Sequence, residues 1–178
     1  MYFRPTPLSG LFVVGLDKIS DERGWFARSF CAAEFAAQGI GFQIVQSNVS
    51  VNTEVGTLRG LHYQAAPHGE SKLIRCARGR IWDVAVDLRP DSPTRCHWFG
   101  LELGPDIPHT LFIPDGFAHG FVTLQADSEV HYQMDAPFVP AAARGVRWND
   151  PAFGICWPLP PTVIAPRDAN YPDYANTL

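Results

Sequence analysis

The chain has 178 residues, a length typical of a single domain with a buried core. Apolar residues make up 46% of it and charged residues 18%, which excludes a disordered chain and indicates a folded globular protein. The formal net charge of −4 argues against non-specific nucleic-acid binding, which needs a broad basic surface, although a local group of arginines that binds phosphate is compatible with it.

The cysteines and the N-terminal residues indicate the compartment. Cys31, Cys76, Cys96 and Cys156 show no CxxC or other metal-binding spacing. Residues 1–5 contain no apolar segment of a signal peptide, and no run of about 20 apolar residues could span a membrane. We therefore expect reduced thiols in a cytoplasmic protein rather than two disulfides.

The predicted elements, in chain order, are mainly short strands joined by the turns that 16 prolines and 15 glycines favour. One helix is predicted near residues 31–38, an alanine-rich stretch that ends at Gly39. Strands are predicted at 11–14, 43–51, 58–64, 72–76, 81–88, 97–103, 110–113, 117–124 and 129–134. The proline-rich tail at 148–172 is expected to wrap the body as an extended segment. This order predicts one all-β domain over residues 1–178, a sandwich or jelly-roll barrel.

Two of these strands carry polar patterns. Gln46, Asn48 and Ser50 share one face of the strand at 43–51, which is either a solvated sheet face or part of a site. In the strand at 58–64, alternation places Arg59 and His62 on opposite faces. A bulge at the intervening glycine would bring both side chains to the same side.

A motif of glycines and a histidine begins at Gly56. Gly56 precedes His62 by six residues, and a glycine follows Lys72 by seven, which is the spacing of the first motif of the cupin superfamily. The second histidine of that motif is Gln64 here, and its glutamate is Lys72. The second cupin motif, Pro-x-Gly-x-x-His, recurs at 114–119. A divalent metal prefers imidazole and carboxylate donors and is repelled by an ammonium, so the sequence resembles a cupin in which a lysine has displaced the metal.

Longer sequence segments, which follow one another in a consistent order over nearly the whole chain, make the resemblance more specific. They lie at 21–26, 58–64, 72–75, 83–89, 113–121, 148–151 and 167–168. In them the sequence resembles the dTDP-4-dehydrorhamnose 3,5-epimerase family of nucleotide-sugar enzymes. The resemblance implies a double-stranded β-helix that works as a homodimer on a 4-keto-6-deoxyhexose attached to a nucleoside diphosphate. It also implies inversion of C3 and C5 through proton transfer next to the C4 ketone, without a redox cofactor or a metal.

Four residues are implied to carry the proton transfers. His62 would be the base, a task that suits imidazole because it titrates near neutral pH. Asp168 would orient and stabilise the imidazolium, with Asp83 as a second candidate neighbour. Lys72 would hold the negative charge that develops on O4, the task of the metal in other cupins. Tyr132 falls at the position of the proton donor.

Eight further residues are implied to contact the substrate. Arg59 and His119 would contact the sugar and diphosphate, and the others the nucleotide or phosphate, some of them across the dimer. The set is Arg23, Phe26, Gln46, Asn48, Arg59, His119, Phe138 and Arg167. Each has a plainer alternative, as a surface arginine, a packed aromatic or a structural histidine.

Several positions depart from the family pattern on the nucleotide side. Arg28 and Ala143 stand where glutamates are common, Phe138 lacks a hydroxyl, and Glu70 stands where a glutamine is expected. A base other than thymine and inversion at C3 or C5 alone therefore stay open. From other classes, a non-catalytic sugar-binding cupin and a metal-dependent cupin oxygenase are the alternatives, the second opposed by Lys72.

Overall fold

A computed structural model describes residues 1–174, and strands account for most of its regular structure. In chain order the strands are β1 (Tyr2–Pro5), β2 (Phe12–Gly15), β3 (Ile19–Asp21), β4 (Gly24–Phe26), β5 (Gln46–Asn52), β6 (Thr57–Gln64), β7 (Lys72–Arg78), β8 (Ile81–Asp87), β9 (Trp98–Leu103), β10 (His109–Ile113), β11 (Phe117–Thr123), β12 (Ser128–Met134), β13 (Ala143–Gly145) and β14 (Val163–Ile164). The helices are α1 (Ala32–Ala36) and α2 (Pro166–Ala169), and a 3₁₀ turn covers Pro140–Ala142.

The strands form two large sheets and a separate hairpin. The first sheet has the order β1-β2-β10-β7-β12-β5, and the second has the order β13-β6-β11-β8-β9, with β14 added parallel to β6. Strands β3 and β4 pair with each other outside both sheets. Two facing antiparallel sheets with these crossovers form a cupin jelly roll, so the predicted fold class is confirmed.

Apolar side chains from the inner faces of both sheets make the main core. Ile74, Leu111 and Val130 come from the first sheet, whereas Ala85 and Phe121 come from the second, and all of them are fully buried. Burying a side chain as large as Phe121 stabilises the fold by about 2 to 3 kcal/mol. Truncation of Leu111 to alanine would cost about 3 kcal/mol, because the rigid sheets close the resulting cavity only in part.

The outer faces of both sheets are covered as well. Phe35 of α1 and Phe42 after it pack edge-on against Phe112 on the outside of the first sheet. The C-terminal segment brings Phe153 against the outside of the second sheet, in a cluster with Val86. Strands covered on both faces have no solvated side, which explains why β8 is apolar on both of its faces apart from its aspartates.

The predicted helix is confirmed as the short helix α1, and Gly39, with φ of +76°, follows its end. The tail is not extended throughout, and that prediction is wrong at α2. Pro166 begins α2 at a position where its missing N–H leaves no helical hydrogen bond unmade.

Among residues 1–174, no helix is long and apolar enough to cross a membrane. All four cysteines lie in this range and are free thiols.

Gly60 interrupts β6 with a bulge, as the sequence predicts. The register of β6 on β11 shifts between His119 and Phe121. Gly60 has φ of +124°, and a Cβ there would lie 2.6 Å from the backbone of β11, so only glycine fits. Because of the bulge, the side chains of Arg59 and His62 line the same cavity.

Candidate active site

A cavity of about 580 Å³ opens between the sheets and is closed on one side by α2. Its polar wall includes Asn48 and Ser50 of β5, so the polar face of this strand belongs to the cavity. The titratable residues that line the cavity are Arg59, His62, His119, Tyr132, Arg167 and Asp168. Charged and aromatic side chains from four elements, β6, β11, β12 and α2, therefore converge on one concave surface, which is the usual form of a small-molecule site.

A smaller cavity of about 180 Å³ shares His62, Tyr132 and Arg167 with the first. It adds Gln46, Lys72, Phe138 and Ala143 to the lining. Of the twelve residues implied to carry the proton transfers or to contact the substrate, all but Arg23 and Phe26 line one of the two cavities.

His62 and Asp168 form a hydrogen-bonded pair at the wall of the main cavity. Nε2 of His62 lies 2.8 Å from Oδ1 of Asp168, and Oδ2 of Asp168 accepts the backbone N–H of Gly60 at 3.1 Å. Burial raises the pKa of Asp168, but the hydrogen bond and charge of His62, the amide of Gly60 and the charge of Arg167 outweigh it, so the net pKa is lowered. Asp168 is therefore an ionised carboxylate at neutral pH.

This pair determines the tautomer of the imidazole. A carboxylate only accepts hydrogen bonds, so Nε2 of His62 carries the proton that it donates to Asp168. Nδ1 then keeps its lone pair and can accept a proton. The guanidinium of Arg167, a more exposed side chain, lies 3.4 Å from Nε2. The arrangement is that of a general base whose cationic form is stabilised by a fixed carboxylate.

Asp83 is the partner of His119 and not of His62, so the suggestion that it assists His62 is wrong. Nε2 of His119 lies 2.8 Å from Oδ1 of Asp83, and both side chains are buried. Burial raises the pKa of Asp83, partly offset by His119. The reason for this pairing is register, because β11 and β8 are neighbours and place His119 beside Ala85, two residues from Asp83.

Tyr132 lies on β12 of the first sheet, opposite the second sheet that carries His62 and His119. Its ring lies 5.9 Å from that of His119, centroid to centroid. Burial, together with the charge of Asp83, raises the pKa of Tyr132 against the opposing effects of Arg59 and a hydrogen bond with Ser50. A phenol with a raised pKa stays protonated at neutral pH, which is the state that a proton donor needs.

Lys72 lies at the wall of the smaller cavity in an ion pair that the sequence analysis missed. Its Nζ is 2.7 Å from Oε1 of Glu70, and the two side chains are 8% and 9% exposed. The side-chain amide of Gln64 donates to the other oxygen of Glu70 at 3.2 Å. The sequence contained a signal for this pair, because Glu70 and Lys72 are two residues apart and such residues lie on the same face of an extended chain.

The donor set at the cupin metal position does not suit a divalent metal. Of the four positions, His62 and His119 could bind a metal, whereas Lys72 presents an ammonium and Gln64 is used in a hydrogen-bond network with Glu70 and Val139. Over residues 1–174, no three histidine, cysteine or acidic side chains are grouped as metal ligands would be.

Two of the residues that are expected to contact the nucleotide or diphosphate have clear local partners. Nε of Arg59 donates to Oδ1 of Asn52 at 2.7 Å, which holds the guanidinium at the main cavity. The side-chain oxygen of Gln46 accepts the backbone N–H of Phe138 at 2.9 Å, which fixes the segment that carries the exposed Phe138 ring. An aromatic ring and a guanidinium are suited to a base and a phosphate respectively.

Arg23, Phe26 and Arg28 lie elsewhere. Arg23 and Phe26 are exposed on the β3–β4 hairpin, where Arg23 forms an ion pair with Asp21. Arg28 pairs with Glu34 of α1 at 2.8 Å and lines neither cavity. The arginine at position 28 is thus held by the protein's own carboxylate in this subunit.

The fold and this set of residues define a cupin whose cavities are lined by a hydrogen-bonded histidine–aspartate pair, a buried lysine and a buried tyrosine. A family model described as dTDP-4-dehydrorhamnose 3,5-epimerase matches residues 5–176. The dTDP-4-dehydrorhamnose 3,5-epimerase of Sinorhizobium fredii is 40% identical over 173 residues, which are 97% of this chain and 89% of that protein. The chain belongs to the dTDP-4-dehydrorhamnose 3,5-epimerase family.

Solved structures agree with this assignment. The dTDP-4-dehydrorhamnose 3,5-epimerase of Elizabethkingia anophelis superposes with a TM-score of 0.95 at 34% identity, covering 99% of this chain and 97% of that one. A dTDP-6-deoxy-D-glucose-3,5-epimerase of Legionella pneumophila, solved in complex with dTDP-4-keto-L-rhamnose, gives a TM-score of 0.89 at 36% identity, with coverages of 94% and 89%.

Proposed function

We propose that the protein is an isomerase that inverts C3 and C5 of a dTDP-4-keto-6-deoxyhexose. The C4 ketone acidifies the hydrogens on both neighbouring carbons, so the reaction needs a base, a group that holds the enolate oxygen and an acid. No electron is gained or lost overall, and the atoms balance by exchange of protons alone. Membership of the family and the grouping of His62, Lys72 and Tyr132 around the smaller cavity support the proposal.

His62 removes the proton from the carbon next to the ketone. Its Nδ1 accepts the proton, and the resulting imidazolium is stabilised by Asp168, 2.8 Å from Nε2. A positioned base of this kind typically contributes a factor of about 10² to 10⁴ to the rate. The amide of Gly60 holds the second oxygen of Asp168, so that the carboxylate keeps its orientation while the charge on the imidazole changes.

Lys72 stabilises the enolate oxygen. Negative charge moves from the carbon to O4 as the proton leaves, and a fixed cationic donor lowers the energy of that state more than that of the neutral ketone. The side chain is largely shielded from water, which strengthens its interaction with the charge.

Tyr132 returns a proton from the other face of the ring. His62 belongs to β6 of the second sheet and Tyr132 to β12 of the first, and both line the same cavity. A proton removed on one side and replaced from the other inverts the carbon. The observation that carries the proposal is the placement of His62, hydrogen-bonded to the ionised carboxylate of Asp168, and of the protonated phenol of Tyr132 on opposite sheets of one cavity.

The nucleoside diphosphate occupies the side lined by Arg59, Asn48, Gln46, Phe138 and Arg167. The two arginines supply donors for phosphate oxygens, and Phe138 supplies a face on which a base can stack. His119, held by Asp83, directs a ring nitrogen toward the sugar. The free thiols are consistent with a cytoplasmic location of the protein, where thiols are kept reduced.

The protein acts as a homodimer in which the β3–β4 hairpin of one subunit completes the site of the other. Two exposed apolar surfaces support this arrangement. Phe26 on the hairpin is 72% exposed, and Val45, Val49 and Val51, in or next to the edge strand β5, are each 57% exposed. An unpaired edge strand with apolar side chains is costly to leave in water. The hairpin would bring Arg23 and Phe26 to the nucleotide of the partner.

The test is proton exchange in deuterium oxide. The purified protein, incubated with dTDP-4-keto-6-deoxyglucose, should incorporate deuterium at C3 and C5 and yield the doubly inverted sugar. Incorporation at C3 alone would identify a 3-epimerase, and GDP- and CDP-linked sugars in the same assay would identify the base. Absence of exchange at both carbons across this panel would refute an epimerase and favour a sugar-binding cupin.

A further inference from the structure

Glu70 has two partners, one on each oxygen. Oε1 lies 2.7 Å from Nζ of Lys72, and Oε2 accepts the side-chain N–H of Gln64 at 3.2 Å. Gln64 is itself fixed, since its oxygen accepts the backbone N–H of Val139 at 2.6 Å and its nitrogen also lies 3.1 Å from the carbonyl of His68. The carboxylate is therefore held in one orientation by a network that ends at Lys72.

Lys72 is the residue through which this network would act on the reaction. An ammonium has three donors on a flexible stem of four carbons, so nothing in the side chain itself fixes its direction. One donor is used by Glu70, which leaves two for the cavity. Both side chains are more than nine-tenths buried, and a buried charge without a counter-ion is unfavourable.

We propose that Glu70 is a positioning residue for the epimerisation: its carboxylate anchors the ammonium of Lys72 at the cavity wall, so that the remaining N–H groups are directed at the enolate oxygen. This inference rests on the proposed function of Lys72 and deepens it. Glu70 also lines the smaller cavity, but one of its oxygens is engaged by Lys72 and the other by Gln64, so its effect on the reaction is exerted through Lys72. A carboxylate suits this place because both of its oxygens accept, one from Lys72 and one from Gln64.

The test is a double-mutant cycle between the two residues. Glu70→Ala should lower kcat by about 10- to 100-fold with KM changed by less than about threefold, because a displacement of about 1 Å at a catalytic group has effects of this size. Glu70→Gln, which keeps an oxygen that can accept from Nζ, should recover most of the loss. In a Lys72→Met background, Glu70→Ala should change kcat by less than about twofold, since its effect acts through Lys72.

Glu102→Ala is the matched control. It removes a carboxylate from another glutamate–cation pair, that of Glu102 on the edge strand β9 with Arg80, and neither residue lines either cavity, so kcat should be unchanged. If Glu70→Ala does not fold, Glu70→Leu keeps the buried volume without offering an acceptor and takes its place in the cycle. Full activity of Glu70→Ala and Glu70→Leu, or a loss of kcat in the Lys72→Met background as large as in the wild-type background, would overturn the inference.

A crystallographic comparison separates this inference from the proposed function. In Glu70→Ala or Glu70→Leu crystals, Nζ of Lys72 should shift by more than about 1 Å from its place in the wild type or lose defined density. An unmoved Nζ would refute positioning by Glu70. If the wild type exchanges no proton on any sugar, the proposed function fails, and this structural outcome still decides whether Glu70 anchors Lys72.

Discussion

Asp168 holds His62 through a hydrogen bond of 2.8 Å across 106 residues of sequence. The bond depends on α2, which places a buried carboxylate below the bulge in β6, where the same carboxylate also accepts the amide of Gly60. Because the carboxylate of Asp168 satisfies both the strand amide and the imidazole, its replacement affects both the base and the local backbone. The strongest tests of the mechanism start from this pair.

Asp168→Asn should lower kcat by roughly a hundredfold or more, because an amide can offer its N–H to Nε2 and so stabilise the wrong tautomer of His62. KM should change little, since the phosphate contacts are untouched. Steady-state kinetics on dTDP-4-keto-6-deoxyglucose would measure this, with the exposed Asp91→Asn as control. Wild-type kcat in Asp168→Asn would contradict the role of the carboxylate.

Tyr132→Phe should separate proton removal from inversion. The ring still packs, but the donor is lost, so His62 should continue to exchange the substrate hydrogen with solvent while the inverted product falls by about 10² or more. Deuterium incorporation and product stereochemistry, followed by NMR in one reaction, measure the two steps. Loss of exchange and inversion to the same extent would instead place Tyr132 in substrate binding.

The stability should depend on pH through Asp87. Burial raises its pKa, but hydrogen bonds from Arg89, Ser92 and Thr94 outweigh this and lower the pKa to about 2 from 3.8. A lowered folded-state pKa means that the contribution to stability is fully present above about pH 4 and is lost as the pH falls toward about 2. Asp87→Asn should therefore be less stable than wild type by about 3 kcal/mol at pH 7, as when a buried ion pair is broken.

Urea unfolding at pH 7, 4 and 2.5 would measure this difference. The difference in unfolding free energy between wild type and Asp87→Asn should narrow at the lowest pH, because the carboxylate of the unfolded chain is protonated there and that of the folded protein begins to be. Asp127→Asn is the control, because Asp127 forms only a long, exposed ion pair with Arg78. Its free energy of unfolding should differ little from that of wild type at any of the three pH values. A constant gap for Asp87→Asn across the three conditions would contradict the assigned ionisation.

The hairpin should act in the site of the partner subunit. Arg23→Ala should be weakly active through loss of a phosphate contact, and His62→Ala should be inactive. After unfolding and refolding of a mixture, about one quarter of wild-type activity should return, since half of the randomly mixed dimers contain one complete site. No recovery in mixtures that contain heterodimers would place Arg23 in its own subunit's site.

The edge strand β5 should lie in the dimer interface. Val51→Lys places a charge on an exposed side chain that lines neither cavity, so its effect should be on assembly. Sedimentation equilibrium should show a shift from dimer to monomer, together with a raised KM as the hairpin is lost from the site. An unchanged molar mass would contradict the proposed interface.

Local sequence was enough for most of the strands. Alternation and turn residues placed them within about two residues, and Gly60 indicated the bulge because only glycine tolerates so close an approach of two backbones. The structure of the tail was harder to predict, because a helix of four residues such as α2 is too short to show a hydrophobic periodicity. Its position depends on packing against β6.

By itself, the sequence determined which residue types are available to this protein: strands with apolar faces, a glycine at the bulge, His62 and Lys72 in a cupin motif that lacks a metal-binding set, and Tyr132 in a later strand. Only the tertiary structure decided the partners, giving Asp168 to His62, Asp83 to His119 and Glu70 to Lys72. The physical reason is that periodicity fixes the face on which a side chain lies, whereas its hydrogen-bond partner depends on the register of neighbouring strands and on where distant segments are brought together.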